Sequence, residues 1–382
     1  MRHENSVMHQ VLKFIPWDRF AASVDEHDAD RCVRRLSTKS QLIALLHAQL
    51  SGASSLREIE TTMASHGARI YHLGATPPKR STLADANALR PAAVFAELFA
   101  GLLKQAHPGL RRHAGEAIRL IDSSRVTLNS LSRGWAHYDT TCDGMKLHVV
   151  YDPDAAVPVY FAVSPAREND MVQANAAPIE AGATYVFDMG YPSFTWWAKL
   201  HSAGCRFVTR LRTNSPTTII EERSVVSGGN IVLDCIVRVR GRLSHTRKNP
   251  LDHDLREVHV VIDTGKTLRL VTNDLTSPAE TIAELYKTRW EIELFFRWIK
   301  QTLKIRKFLG TSENAVRIQI AVALIAYLLL RMAHAAQSAI PSMLAFTRLV
   351  RANLMHLRNI HDLDRPPPRK TFDHNHQELA LC

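Results

Sequence analysis

The chain has 382 residues, 46% of them hydrophobic and 22% charged, a balance that excludes a wholly disordered or fibrous protein and leaves room for two or three domains. A formal net charge of +11 and a sequence pI of about 9.6 favour a polyanionic partner, with nucleic acid the default. Five scattered cysteines without a C-x-x-C pair signal neither a disulfide framework nor a zinc ribbon, and the polar start MRHENSVMHQ lacks the apolar run of a signal peptide.

Residues 1–112 read as an all-α N-terminal domain. Thr38-x-x-Gln41 and Ser55-x-x-Glu58 have the form of capping boxes, and Ser51-Gly52 between them marks a turn. Two short helices so joined suit a helix-turn-helix-like module; a plain helical bundle fits the same residues. The basic turn Pro77-Pro78-Lys79-Arg80 opens a further helix, and Pro91 stands at the start of one ending near Ala106.

From residue 113 to about 340 the texture is α/β. Strands are predicted over 117–127, 146–151, 157–163, 184–188 and 206–211, with helices near 171–179 and after Ser193. A β-rich insertion covers about 213–273. Ser277-Pro278-Ala279-Glu280 then announces a helix, with Ser277 as N-cap and Pro278 as first helical residue. The apolar run Ile318–Leu330 is shorter than the ~20 residues a bilayer span needs and reads as a buried core helix. Residues 341–382 form a C-terminal helix and a polar, proline-rich tail.

The helix after Ser277 carries the chemistry. At about 100° per residue, with Tyr286 at zero, Arg289 falls at about −60°, Glu293 at about −20° and Lys300 at about −40°. These four polar residues make one narrow stripe beside an apolar stripe of Leu285, Ile292, Phe296, Ile299 and Leu303. Arg297 and Lys304 extend it as a basic track, and Trp290 either adds an aromatic surface or packs as a core or rim aromatic. Glu291 projects roughly 160° away from Glu293. Alone, the stripe also fits a solvated face with an Arg289–Glu293 pair. Two further acids change the balance. Asp122 follows Ile121, and Asp188 follows Val186-Phe187, each at the carboxyl end of an apolar strand, where crevices in α/β sheets form. Two such aspartates and an aligned glutamate point to a divalent-metal site, because Mg2+ takes hard carboxylate oxygens. Phosphodiester cleavage is served by two ions. Lys146 and His148 share a face of one strand and either reach phosphate or line a solvated face. Asp143 and Asp152 read as turn residues, and Trp196 and Trp197 as helix packing.

At this point the chain resembles a known family. The spacing Tyr286-x2-Arg289-x3-Glu293-x6-Lys300 is similar to the Tyr-Arg-Glu-Lys signature of bacterial insertion-sequence transposases of the Asp-Asp-Glu (DDE) type. Asp122 in IDSS and Asp188 in FDMGY are similar to that family's first two acidic motifs. The resemblance spans roughly residues 115–335. It implies a ribonuclease-H-like core with a β-rich insertion, and catalysis and metal binding by Asp122, Asp188 and Glu293. It implies two Mg2+ ions per site, with Mn2+ as a substitute. The helix stripe itself offers DNA contacts from Tyr286, Arg289 and Lys300, continued by Trp290, Arg297 and Lys304. The expected reaction is cut-and-paste transposition: cleavage at insertion-sequence ends, then strand transfer into target DNA. The expected partners are the terminal inverted repeats, target DNA and a second copy in a synaptic homodimer, in the cytoplasm at the nucleoid and without membrane attachment. One departure stands out. Relatives that pass through a DNA hairpin stack a flipped base on tryptophan in the insertion, and residues 213–273 contain none.

Overall fold

The computed structural model describes residues 5–111, 116–128, 130–136, 144–226, 228–239, 250–303 and 308–366. The chain opens with helices α1 (Val7–Leu12), α2 (Trp17–Glu26), α3 (Thr38–Ser51), α4 (Leu56–Ser65), α5 (Gly67–His72), α6 (Arg80–Leu89) and α7 (Ala92–Leu110). The α/β part follows as β1 (Ile118–Thr127), α8 (Arg133–Ala136), β2 (Gly144–Asp152), β3 (Val157–Pro165), α9 (Asp170–Ala176), β4 (Thr184–Phe187), α10 (Phe194–Ser202) and β5 (Arg206–Arg210). Next come β6 (Thr217–Glu222), β7 (Ile231–Val239), β8 (Leu255–Val261) and β9 (Thr267–Thr272), and then α11 (Ala279–Thr288), α12 (Trp290–Thr302), α13 (Glu313–Ala335) and α14 (Met343–Asn353).

Among the described residues the nine strands form one sheet in the order β3-β2-β1-β4-β5-β9-β8-β7-β6. β1, β4 and β5 run parallel at its centre, and the remaining pairings are antiparallel. The β-rich insertion is therefore not a separate module: β9 returns to pair with β5 and extends the same sheet. Along the central strands side chains alternate between two layers. Leu120 and Val186 join the large core with α12 and α13. Ile121, Tyr185, Phe187 and Phe207 join a second core with Trp196 and Trp197 of α10. Both tryptophans are packing residues, as read from the sequence.

The apolar run 318–330 is the middle of a longer helix. α13 has 23 residues, about 34 Å at 1.5 Å per residue, and is long and apolar enough to cross a membrane. Yet 83% of its most apolar window is buried inside the protein. The burial comes from α3, α6 and α7, which pack around α13, so the N-terminal helices and the sheet share one core. Ser312 caps α13 by accepting a bond from the Ala315 amide at 3.2 Å. Ser312→Ala is expected to cost about 1 kcal/mol, read as a lowered melting midpoint with unchanged far-ultraviolet dichroism.

Several local expectations are corrected. The N-cap of α3 is Ser37, not Thr38, whose amide and hydroxyl instead bond Asp30 at 2.7 and 2.8 Å. Gln41 reaches Asn87 at 2.7 Å in the core rather than closing a box. α3 and α4 do meet at a turn, with Gly52 at φ 80°. However, α3 is buried along nearly its whole length, so of this pair only α4 offers a surface. Ser277 does not cap α11. Its hydroxyl donates to Asp274 at 2.5 Å, and Asp274 also takes the amides of Thr276 and Ser277 at 3.0 Å each. These bonds hold the Asp274 carboxyl well below its usual pKa against the opposing effect of burial. Finally, the predicted single helix is two, α11 and α12, broken at Arg289.

Candidate active site

The parallel ladder between β1 and β4 runs from Ile118↔Thr184 to Ile121↔Phe187 and ends there. β1 itself continues to Thr127, paired on its other side with β2. Asp122 is thus mid-strand rather than at the strand's end, but it is the first residue past the ladder. Asp188 is the first residue past the ladder on β4. The two-residue period puts Asp122 in phase with Leu120, and Asp188 in phase with Val186. Both carboxylates therefore emerge on the face where Ile292, Phe295, Phe296 and Ile299 of α12 pack. The crevice lies at the carboxyl ends of parallel strands, where the loss of one neighbour opens the sheet.

The third acid comes from α12. Glu293 lies in its first turn, ion-paired to Arg289 at 2.7 Å. α11 packs across β5, β8 and β9 and α12 on β1; between them Arg289 keeps helical dihedrals (φ −51°, ψ −29°), and the Arg289 and Ile292 amides bond the carbonyls three residues back at 3.2 and 3.3 Å, so the helix tightens there. The break keeps the predicted neighbours together: the Arg289 guanidinium stands 5.7 Å from the centre of the Tyr286 ring. Lys300, two turns further on, donates to the Ser124 hydroxyl at 2.6 Å and so ties α12 to the strand of Asp122. Trp290 is 49% exposed, and the Arg297 guanidinium sits 5.6 Å from its ring centre. This is a cation–π pair at the surface. Lys304 lies outside the described residues.

The electrostatics register the crowding. Burial, reinforced by the negative fields of Asp188 and Glu293, pushes the Asp122 carboxyl up to about 7, against the Ser123 amide and Arg289. The Ser123 N–H donates to Asp122 Oδ1 at 2.7 Å, and the Gly190 N–H donates to Asp188 Oδ1 at 2.7 Å. Burial would lower the Arg289 pKa, but Tyr286, Glu293 and Asp122 outweigh it and the guanidinium is held charged. Burial raises the Tyr286 phenol, with Asp188 adding to it. Among the described residues no three acidic, histidine or cysteine side chains are drawn into one ligand cluster, and Glu293 is engaged by Arg289. The donor set nevertheless fits a hard divalent cation. Its oxygens come from carboxylates, and Asp122, raised chiefly by burial, also feels the negative fields of Asp188 and Glu293 in one partly buried crevice.

Some candidates take other roles, and some groups escaped the sequence reading. Lys146 and His148 line neither a solvated face nor a phosphate site. Lys146 pairs with Asp170 at 2.9 Å, and buried His148 bonds Ser164 at 2.8 Å. Asp152 does form the turn after β2, taking the amides of Asp154 and Ala155. It is also the buried centre of an ion network. Asp143 lies outside the described residues. Tyr191, within the FDMGY motif, buries its hydroxyl within reach of Ser123. Burial and the fields of Asp122, Asp170 and Asp188 raise its pKa far above the usual range.

Residues 113–329 match the transposase DDE domain, more than half of the chain. The chain belongs to the DDE transposase family. Over 295 residues it is 43% identical to transposase y4zB of Sinorhizobium fredii, covering 76% of this chain and 82% of that one. It is 29% identical over 218 residues to the transposase for insertion sequence element IS5377 of Geobacillus stearothermophilus, 56% of each chain. Its structure is similar to that of the piggyBac transposase in a synaptic complex with hairpin DNA, at a TM-score of 0.50 and 11% identity over 94% of this chain and 82% of that one. This likeness is one of fold, an α/β chain built on a large mixed sheet. Residues 3–76 match a domain of unknown function, and of the helices packed on α13 it includes α3. As a DDE transposase, the protein is a DNA-binding enzyme of DNA transposition, a nuclease and transesterase that depends on divalent metal.

Proposed function

We propose that Asp122, Asp188 and Glu293 are the catalytic carboxylates of this transposase and hold two Mg2+ ions, for which Mn2+ substitutes. The observation that carries the reading is positional: two aspartates emerge in phase at the end of one parallel ladder, on the face covered by the helix of Glu293. When bound, the ions supply Lewis-acid activation of the attacking oxygen and neutralise charge at the phosphate. Asp122 is the natural shared ligand, since it feels both other acids. Arg289 neutralises Glu293 in the free protein and turns to a DNA phosphate in the complex. Lys300 and Tyr286 position the same backbone, matching the Tyr-Arg-Glu-Lys signature. The exposed Trp290–Arg297 pair and Lys304 continue the DNA track along α12.

In this reading water first nicks the end of the insertion sequence, and the freed 3′-hydroxyl attacks the opposite strand or the target. The helices of residues 1–112 form the DNA-binding part that reads the terminal inverted repeats, residues 113–340 are catalytic, and residues 341–382 add a helix and tail. Two copies pair the two ends in a synaptic homodimer, with cleavage in trans. The test is cleavage of a labelled duplex carrying the element's own end, beside a scrambled duplex, in Mg2+ or EDTA. Nicking at the end in metal alone is expected. Equal cutting of both duplexes would make the protein a general nuclease, and binding without cutting would make it a non-catalytic DNA-binding protein.

A further inference from the structure

Past Ile121, β1 has lost its neighbour on the β4 side, and Asp122 stands on the strand at the point where lateral support stops. Two side-chain bonds restore that support. On the α12 face Ser124 takes the Lys300 ammonium at 2.6 Å. On the opposite face the Ser123 hydroxyl donates to Asp170 Oδ1 at 3.1 Å. Ser123 is also the residue whose N–H holds Asp122 Oδ1 at 2.7 Å. The residue whose N–H holds the Asp122 carboxylate is thus itself held, through its hydroxyl, by Asp170.

Asp170 is well placed for this. As the first residue of α9 it favours the helix N-terminus. It pairs with Lys146, whose ammonium also donates to the Glu168 carbonyl at 2.7 Å. His148 Nδ1 faces it at 3.7 Å, and the register of β1 and β2 sets His148 opposite Ser123. Lysine, histidine and serine from two adjacent strands therefore converge on one carboxylate. Outer groups of this kind orient the inner ligands of metal sites and tune them.

We propose that Asp170 is a positioning residue for Asp122, acting through Ser123. It fixes the strand that carries the first catalytic carboxylate and contacts neither metal nor DNA. This rests on the reading of Asp122 as a metal ligand. The experiment is Mn2+ titration of the free full-length protein by electron paramagnetic resonance, alongside end cleavage, for Asp170→Ala, Asp170→Asn, Ser123→Ala and Asp170→Ala/Ser123→Ala. Asp170→Ala and Ser123→Ala are each expected to weaken Mn2+ binding and raise the half-saturating Mn2+ for cleavage about tenfold, with end-DNA affinity unchanged. The pair combined is expected to do no more than either alone, because both break one linkage. Asp170→Asn keeps an oxygen for the Ser123 hydroxyl and is expected to recover most of the loss. Wild-type Mn2+ binding in Asp170→Ala, or losses that multiply in the double variant, would overturn the proposal. An Asp122→Asn control that still binds Mn2+ and cleaves would instead defeat the three-carboxylate reading, and this inference with it.

Discussion

Glu293→Gln is expected to lower end cleavage about a thousandfold or more, while Glu291→Gln stays within about threefold of wild type. The substitution keeps the shape of the side chain and removes only its charge. Nothing in the packing makes it a folding defect. Glu293 is 31% exposed, and its i,i+4 pair with Arg289 is worth a few tenths of a kcal/mol. The two glutamates share a helix and a composition but not a direction. Glu293 acts on Asp122, whereas Glu291 contributes its field to Tyr151 on β2. The measurement is single-turnover nicking of an end duplex in saturating Mg2+, with duplex affinity determined in parallel. Equal rates for both variants would remove Glu293 from the site and leave its pair with Arg289 as surface electrostatics. Loss in both variants, with weakened DNA binding, would mark α12 as a DNA-contact helix rather than a source of a catalytic carboxylate.

The contrast between these glutamates was legible in the sequence because helical phase needs only spacing. The same holds for the strands. Short β-branched runs show that the strands exist and place Asp188 just past β4, but they put Asp122 at a strand end when β1 runs on to Thr127. What spacing does not carry is the partner. That β9 returns to β5, making the insertion an extension of the core sheet, depends on pairing between segments about sixty residues apart, which no local period encodes. The break at Arg289 was hidden for a related reason. The apolar stripe of Ile292, Phe296 and Ile299 continues the phase of Leu285, and Arg289 keeps helical dihedrals, so the pattern does not mark the interruption. α3 misled differently. Gln41, Ser40 and His47 look like surface residues, yet all are buried, Gln41 against Asn87 and Arg90. Asp170 gave no signal, since a lone acid after Asn169 reads as the start of a helix and nothing more. Its meaning appears only when β1 and β2 bring Ser123, Lys146 and His148 together.

Asp152 supplies the largest expected effect on stability. It is 1% exposed, as is fitting for a residue at the centre of a network. Its Oδ2 takes Arg119 at 2.8 Å and His107 at 2.7 Å, and its Oδ1 takes the amides of Asp154 and Ala155 at 2.9 and 3.1 Å. Arg119 is itself 3% exposed on β1 and continues to Glu180 at 2.7 Å. The network therefore joins the end of α7, the start of the catalytic strand and the β2–β3 turn. Asp152→Asn leaves the Arg119 charge in the interior with only the half-exposed Glu180 to answer it. Removing one partner of a buried pair in this way costs about 3–5 kcal/mol. The pH dependence follows from the sign of the shift. Burial alone would raise the Asp152 carboxyl, but His107, the Ala155 amide and Arg119 outweigh it and hold the group below its usual value. A carboxyl depressed in the folded state stabilises fully above the unfolded pKa of about 3.9. That stabilisation is lost as pH falls through the lower, folded value. The gap in urea midpoint between wild type and Asp152→Asn is therefore expected to narrow as pH falls below about 4. A gap that widens below about pH 4, or a variant within about 0.5 kcal/mol of wild type at pH 7, would show that Arg119 and His107 are held by the rest of the fold without Asp152.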